Sequence, residues 1–451
     1  MSRPSARSRI DSTRTSGFAL AATRLGVGLS RTFRSLGTRN YRMYWLGQAV
    51  STMGMWAGEV ALSWLVLSVS NSPAVLGLSV TIRFLPSIFL SPFGGVIADR
   101  FPKRPVLLLT ESCQLLAALS LAVLTSTGTV TLTLIFVLAA LRGVVDALDM
   151  PARQAFVVEL VGTRDVGNAV ALNSLQFNLA RIVGPALGAA LIGTLGIAAC
   201  FYFNAATYLV VLGSLAALKT SQLHMAAPIS RSPMVTQIGE ALSFSRRTPD
   251  IMVVFLLVFA IGTFGYNFMT VLPLLARYVL DSGPAGLGAL TSSLGIGSMV
   301  AAFWMAARGR PTRRLLLGAA TCFSVLLVLM GVSRWQFVTM GILVGLGLCG
   351  ILFMTTANTR LQLISPPSLR GRVMGVYTWL FMGMAPLGSM LVGTLAQWTG
   401  RPSLLPPQPR QDVHQPHSRS HPRHRRQGGL STRRPWAGHH PLGGPSVQSQ
   451  V

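Results

Sequence analysis

The sequence predicts an all-α polytopic membrane protein, and three observations carry that prediction. Of 451 residues, 51% are hydrophobic and only 11% are charged, a balance outside that of ordinary soluble domains. Eleven apolar segments each run to about 20 residues or more, the helical length that crosses roughly 30 Å of hydrocarbon with its backbone hydrogen bonds satisfied internally. The cations between those segments are abundant on one side and scarce on the other, as the positive-inside rule requires.

Residues 1–42 carry nine arginines. The apolar stretch from Phe18 to Ala22 is short and Arg24 interrupts it, so it does not read as a cleavable signal peptide. Leu25, Leu29, Phe33 and Leu36 fall at helical spacing with Arg24, Arg31 and Arg34 between them. Two readings fit this stretch, a surface helix on anionic lipid and a basic cytoplasmic arm that sets topology.

Six segments follow, near 43–67, 74–98, 105–125, 130–150, 172–195 and 197–218, entered through Tyr41, Tyr44 and Trp45 as an interfacial aromatic belt. They make an N-terminal half at 43–218. The longest polar interruption, 219–250, reads as a central cytoplasmic loop. Five segments lie beyond it, near 251–276, 285–307, 315–333, 335–357 and 373–398, and form a C-terminal half at 251–398. Loops on one side hold 25 Lys and Arg, against Arg277 and Arg334 on the other. That asymmetry places the N-terminus in the cytoplasm and the chain in the inner or plasma membrane as a multi-pass protein.

Two echoes join the halves. Gly188-AALI-Gly193-Thr-Leu recurs as Gly388-SMLV-Gly393-Thr-Leu, and RFPKRPVLLL at 100–109 recurs as RGRPTRRLLL at 308–317, each six segments later. Equal offsets argue for duplicated six-helix halves. Such a design wants a twelfth helix, yet beyond Gly400 the chain turns polar and holds six of the seven histidines and eight arginines. The tail at 399–451 is therefore expected to be an out-of-frame translation that has cost helix 12. A His-rich metal-binding tail is the competing reading, and irregular histidine spacing opposes it.

Several function classes are excluded. The net charge is +26, but its cations are spread between apolar segments without a patch or a DNA-binding motif, so no nucleic-acid partner is expected. Cys113, Cys200, Cys322 and Cys349 stand singly in apolar runs with no CxxC. They read as reduced thiols, with no metal and no cofactor implied. There is no GxxxxGK[ST] loop for ATP and no His, Cys or Asp constellation inside the segments, so an enzyme is not expected.

A charge at mid-bilayer costs roughly 2.5–3.5 kcal/mol on insertion scales, so each one marks a partner, a watery cavity or a function. In the first segment Gln48, Thr52, Glu59 and Ser63 share a face beside the small residues Gly47, Ser51, Gly54 and Gly58. The small face should pack on a neighbouring helix and leave the polar face for a cavity, lined by Gln48, Thr52, Ser63 and, from the fifth segment, Asn178. Glu59 there is a candidate proton or cation site, or else the structural counter-ion of a buried arginine. Arg142, Asp146 and Asp149 lie at i, i+4 and i+7, which fits either an intrahelical ion pair or coupling chemistry. Arg181 shares a face with Ser174 and Asn178, and Arg83 lies inside the second segment. Either arginine could hold an anionic substrate group or pair with Glu59.

The stretch GGVIADRFPKRPVLLL, through Gly95, Ala98, Asp99, Arg100, Lys103 and Arg104, resembles the signature loop of the major facilitator superfamily, with Pro102 in place of the family's second glycine. Arg142 within LAALRGVVDALDM resembles the family's helix 4 arginine segment. Gly184-Pro185-Ala-Leu-Gly188-Ala189 resembles the motif of exporters that exchange substrate for protons. With NYRMYW and LRGRVMGVY the likeness spans 40–398, toward the branch of enterobactin-type siderophore exporters and macrolide efflux pumps.

The resemblance implies two halves that rock about a central site and a monomeric secondary active exporter of small organic molecules by proton antiport. Its partners would be a small-molecule substrate, protons and the lipid bilayer. The loop residues Gly95, Asp99, Arg100, Lys103 and Arg104 would gate the cytoplasmic side, Asp99 accepting hydrogen bonds near Arg370 to Val373. Pro185 between Gly184 and Gly188 would make its helix pliable. The alternative is a truncated, transport-inactive membrane protein that lacks helix 12.

Overall fold

The computed structural model describes residues 33–224, 243–308, 311–366 and 369–399. The expectations for most of the N-terminal arm, the middle of the central loop and the tail beyond Thr399 fall outside these residues. Among the described residues the structure is helical throughout, with α1 (Arg39–Ser70), α2 (Pro73–Arg100), α3 (Lys103–Ser126), α4 (Leu132–Leu195) and α5 (Ile197–Ala216) in the first bundle. The second contains α6 (Pro249–Gly265), α7 (Phe268–Leu274), α8 (Gly283–Arg308), α9 (Arg313–Val332), α10 (Gln336–Ile364) and α11 (Arg370–Thr399).

Nine stretches among the described residues are long and apolar enough to cross a membrane. These nine correspond to nine of the eleven expected segments; the other two, at 130–150 and 172–195, are parts of one element, α4, and are not among the nine. Residues 151–171, expected as a loop, are helical, and the reason is their own apolar periodicity. Ala152, Phe156, Val157, Leu160, Val161 and Ala169 are buried against Tyr41, Tyr44 and Leu107. Gly162 breaks the helix into two arms with φ of 70°, a left-handed conformation that glycine adopts without a Cβ penalty. The segment at 251–276 is likewise divided, ending α6 at Gly265 and resuming as α7, which passes through Pro273 into a π turn at Leu275–Val279.

Local chemistry sets the other boundaries. Ser72 Oγ accepts the Val75 N–H at 3.4 Å ahead of Pro73 at the first turn of α2. Thr131 and Thr312 cap α4 and α9 in the same way. Asn71, at φ 49°, ends α1 in the left-handed conformation.

The small face of α1 packs on α5, with Gly47 against Ser214, Gly54 against Thr207 and Gly58 against Asn204. The repeated motif makes corresponding contacts in the two bundles. A methyl group on Gly188 would lie 2.9 Å from Ala57 Cα of α1, and one on Gly388 would strike Thr263 O and Asn267 at the end of α6. Two further crossings join the bundles. Gly288 of α8 sits against Pro185 O of α4, and Gly77 of α2 sits against Gly393 of α11, so glycine lets both backbones approach closely. Hydrogen bonds reinforce them, from Thr81 Oγ1 to Pro386 O at 3.0 Å and from Ser292 Oγ to Ile182 O at 2.7 Å. Asn71 Oδ1 accepts from Arg277 Nη2 at 3.2 Å and from the Tyr278 hydroxyl at 3.1 Å across the same junction.

Candidate functional site

Most of the charged residues of the apolar segments converge inside the first bundle. Glu59, about halfway along α1, pairs with Arg83 of α2 and receives Arg142 Nη2 of α4 on Oε1 at 3.0 Å. Arg83 reaches on to Asp146 Oδ2 at 3.5 Å. Gln114 of α3 ties the set together, donating to Asp146 Oδ1 at 2.7 Å and accepting from Arg142 Nε at 3.2 Å. Two carboxylates thus face two guanidiniums in a balanced set, the side chains of Glu59, Arg83 and Arg142 having little access to water at 13%, 10% and 5% exposed while that of Asp146 is 33% exposed. In that setting the mutual attraction offsets a desolvation cost that no lone charge could meet.

Arg142 therefore finds its partner on another helix, and Asp149 is engaged elsewhere. Arg153 donates to Asp149 Oδ2 through Nε at 2.9 Å and to Glu111 Oε1 through Nη2 at 2.9 Å. Thr110 Oγ1 donates to Asp149 Oδ1 at 2.8 Å, and Gln48 Nε2 donates to Glu111 Oε1 at 3.0 Å while its carbonyl takes Arg153. Gln48 is thus buried in this second network. Thr52 donates to Gln48 O at 2.7 Å and accepts from Gln176 at 3.2 Å. Ser63 donates to Glu59 O at 2.9 Å and, with Glu59, Ser79, Arg83 and Phe84, lines a small pocket to which Met269 of the second bundle also contributes. Asn178 is half-buried and donates to Ser174 O at 2.8 Å.

Sequence reasoning passed over Glu111, Gln114 and Arg153. A signal for Glu111 was present, since it is the one acid within the apolar segment 105–125 and the insertion cost applies to it as to Glu59. Arg153 was counted as a loop cation because 151–171 read as a loop. Its role emerges from the helical turn that sets it four residues beyond Asp149.

Arg181 stands apart from both networks. Its guanidinium lies over the Trp56 ring, 5.7 Å from the centroid, and Nη1 donates to Ser298 Oγ of α8 at 3.5 Å. Gly184 and Gly188 give α4 its close approach to α1, with a methyl on Gly184 only 2.7 Å from Met53 O. Pro185 is buried between them, so this segment is clasped by α1 on one side and α8 on the other.

In the signature stretch, Gly95 and Asp99 belong to α2 by backbone, and the side-chain surroundings expected for Asp99 lie outside the described residues. Arg100 is exposed in the last turn of α2. Lys103 pairs with Glu159 of α4 at 3.0 Å. Arg104 donates to Leu215 O through Nε and to Ala216 O through Nη2, both at 2.8 Å. It thereby satisfies carbonyls at the end of α5, where a cation also favours the helix dipole. Arg104→Ala is expected to lower stability by about 1–2 kcal/mol. Thermal unfolding of the full chain in detergent checks this, and an unchanged midpoint would count against the clamp.

Among the described residues no group of three or more His, Cys, Asp or Glu is placed to hold a metal ion. The arrangement is instead one of paired charges, close-packed glycines and a pocket between bundles. Comparison with known proteins shows which family the chain resembles. The "Multidrug efflux pump Tap" of Mycolicibacterium fortuitum is 30% identical over 363 residues, covering 76% of this chain and 85% of that protein. The "Staphyloferrin A transporter" of Staphylococcus aureus is 26% identical over 350 residues, covering 77% and 87%. Among solved structures, a bacterial homolog of the human lysosomal transporter Spinster, in an inward-facing and unoccupied conformation, superposes with a TM-score of 0.64 at 13% identity, over 80% of this chain and 82% of that one. The nucleoside transporter NupG gives 0.61 at 11% identity, over 80% and 91%. The family described as transmembrane secretion effector matches residues 30–405, and the chain belongs to that family of major facilitator superfamily transporters.

Proposed function

We propose that this chain is a secondary active exporter of small organic molecules, driven by proton influx and working by alternating access of its two bundles. The observation that carries the reading is Glu59, held between Arg83 and Arg142 beside a pocket to which both bundles contribute. A carboxylate shared by two guanidiniums can be released by either one, so protonation and rearrangement of the bundles become linked. The glycine contacts of α4 with α8 and of α2 with α11 provide surfaces on which the bundles roll. Relatives named for a siderophore and for multidrug efflux support a small-molecule cargo.

In this reading α4 spans the bilayer twice through its two arms, giving eleven spans, and the arginine-rich loops place the N-terminus in the cytoplasm. Everted membrane vesicles carrying the full chain test it. An acid-inside gradient should drive uptake of fluorescein or of rhodamine 123 above empty-vector vesicles, and a protonophore should abolish it. Uptake of neither dye, or uptake that survives the protonophore, would overturn the proposal.

A further inference from the structure

The charges inside the first bundle are balanced between Glu59, Asp146, Arg83 and Arg142, which leaves Arg181 to be explained. Among the described residues Arg181 has no carboxylate partner. Its one side-chain hydrogen bond is the long contact to Ser298 Oγ at 3.5 Å, and Nε is buried without an acceptor. Trp56, on whose ring it stacks, has the same deficit, since the indole Nε1 is also buried without an acceptor. Ser298 spends its own proton on Leu294 O at 2.9 Å.

These are unsatisfied donors on two side chains in contact, in a region where a guanidinium without a counter-ion is costly. Trp56 and Ser298 lie near the midpoints of α1 (Arg39–Ser70) and α8 (Gly283–Arg308), and Arg181 lies at the junction of the two bundles. Transporter cargo is held at such mid-membrane junctions. A planar guanidinium and an indole N–H both complement a carboxylate or another oxyanion. The rings of Trp56 and Phe177, in edge contact at 5.8 Å, add an apolar wall.

We infer that Arg181 and Trp56 form the anion-recognising part of the cargo site, so that the transported molecules carry a carboxylate or a similar oxyanion beside an apolar ring. The inference rests on the exporter reading and narrows its substrate class. Trp56 supplies one donor and the ring, Arg181 the charge, and α8 closes the site through Ser298.

The test uses two dyes with a common xanthene skeleton, anionic fluorescein and cationic rhodamine 123, and equilibrium binding to the purified full chain by fluorescence anisotropy. Wild type should prefer fluorescein. Arg181→Gln should weaken fluorescein at least ten-fold and leave rhodamine 123 unchanged or tighter, and Arg181→Lys should recover part of the loss by restoring the charge. Trp56→Phe keeps a ring and removes the N–H, and should weaken fluorescein by a smaller factor. Equal binding of the dyes by wild type, binding of neither, or parallel loss of both dyes in Arg181→Gln would overturn the inference. Selective binding of fluorescein without gradient-driven uptake would support the anion site and refute export, so the two failures are distinguishable.

Discussion

Glu59→Gln is expected to abolish uphill export and to destabilise the first bundle. The substitution keeps the shape of the side chain and removes one of the two negative charges that balance Arg83 and Arg142. Both arginines are nearly inaccessible, with side chains 10% and 5% exposed. Arg83 would retain Asp146 at 3.5 Å and Arg142 would retain the Gln114 amide at 3.2 Å, neither of which neutralises the pair. Removing one partner of a buried ion pair costs about 3–5 kcal/mol, so a marked fall in the unfolding midpoint should accompany the loss of transport.

A second variant separates structure from coupling. Glu59→Gln combined with Arg142→Gln restores the charge balance and should recover most of the stability. If Glu59 carries the proton, the double variant still equilibrates substrate down its own gradient but does not respond to a pH gradient. Recovery of gradient-driven uptake by the double variant would show that Glu59 serves the arginines alone.

Gly188→Leu should be strongly damaging to both packing and transport. A methyl group there already lies 2.9 Å from both Cα and O of Ala57, so a leucine side chain must push the second arm of α4 away from α1. Overpacking of this kind costs about 1–3 kcal/mol even where side chains can yield, and here the obstacle is backbone. The displaced arm also carries Pro185, against which Gly288 of α8 rests. Transport should therefore fall more than ten-fold along with the unfolding midpoint, and Gly188→Ala should be milder. Gly193, with nothing within 4 Å of its virtual methyl, supplies the control, and Gly193→Leu should be close to wild type. Equal stability of the two leucine variants would contradict the packing.

Much of the fold was legible because the bilayer imposes a simple rule. Apolar length and loop charge located α1, α2, α3, α5, α8, α9 and α11 to within a few residues and the start of α10, which runs on to Ile364 past the expected end at 357. The rule misread 151–171, where enough Glu, Arg, Asp and Asn accompany the buried Phe156, Leu160 and Val161 to look like a loop. With that stretch went Arg153, and with Arg153 the network that engages Glu111. Hydropathy counts residues without asking which side of a helix they occupy, so an amphipathic extension and a polar loop score alike.

The sequence by itself determined the class of protein, the family likeness, the internal repeat and which residues would be costly in lipid. Composition, spacing and the insertion cost of a charge are properties of the chain alone. The tertiary structure alone decided the pairing, giving Glu59 to Arg83 and Arg142, Asp149 to Arg153, and leaving Arg181 against Trp56 with donors unmet. The physical reason is range. A charge on a helix can meet its neighbours three or four residues away, but its strongest partner is set by which helix packs alongside, and glycine contacts far along the chain decide that.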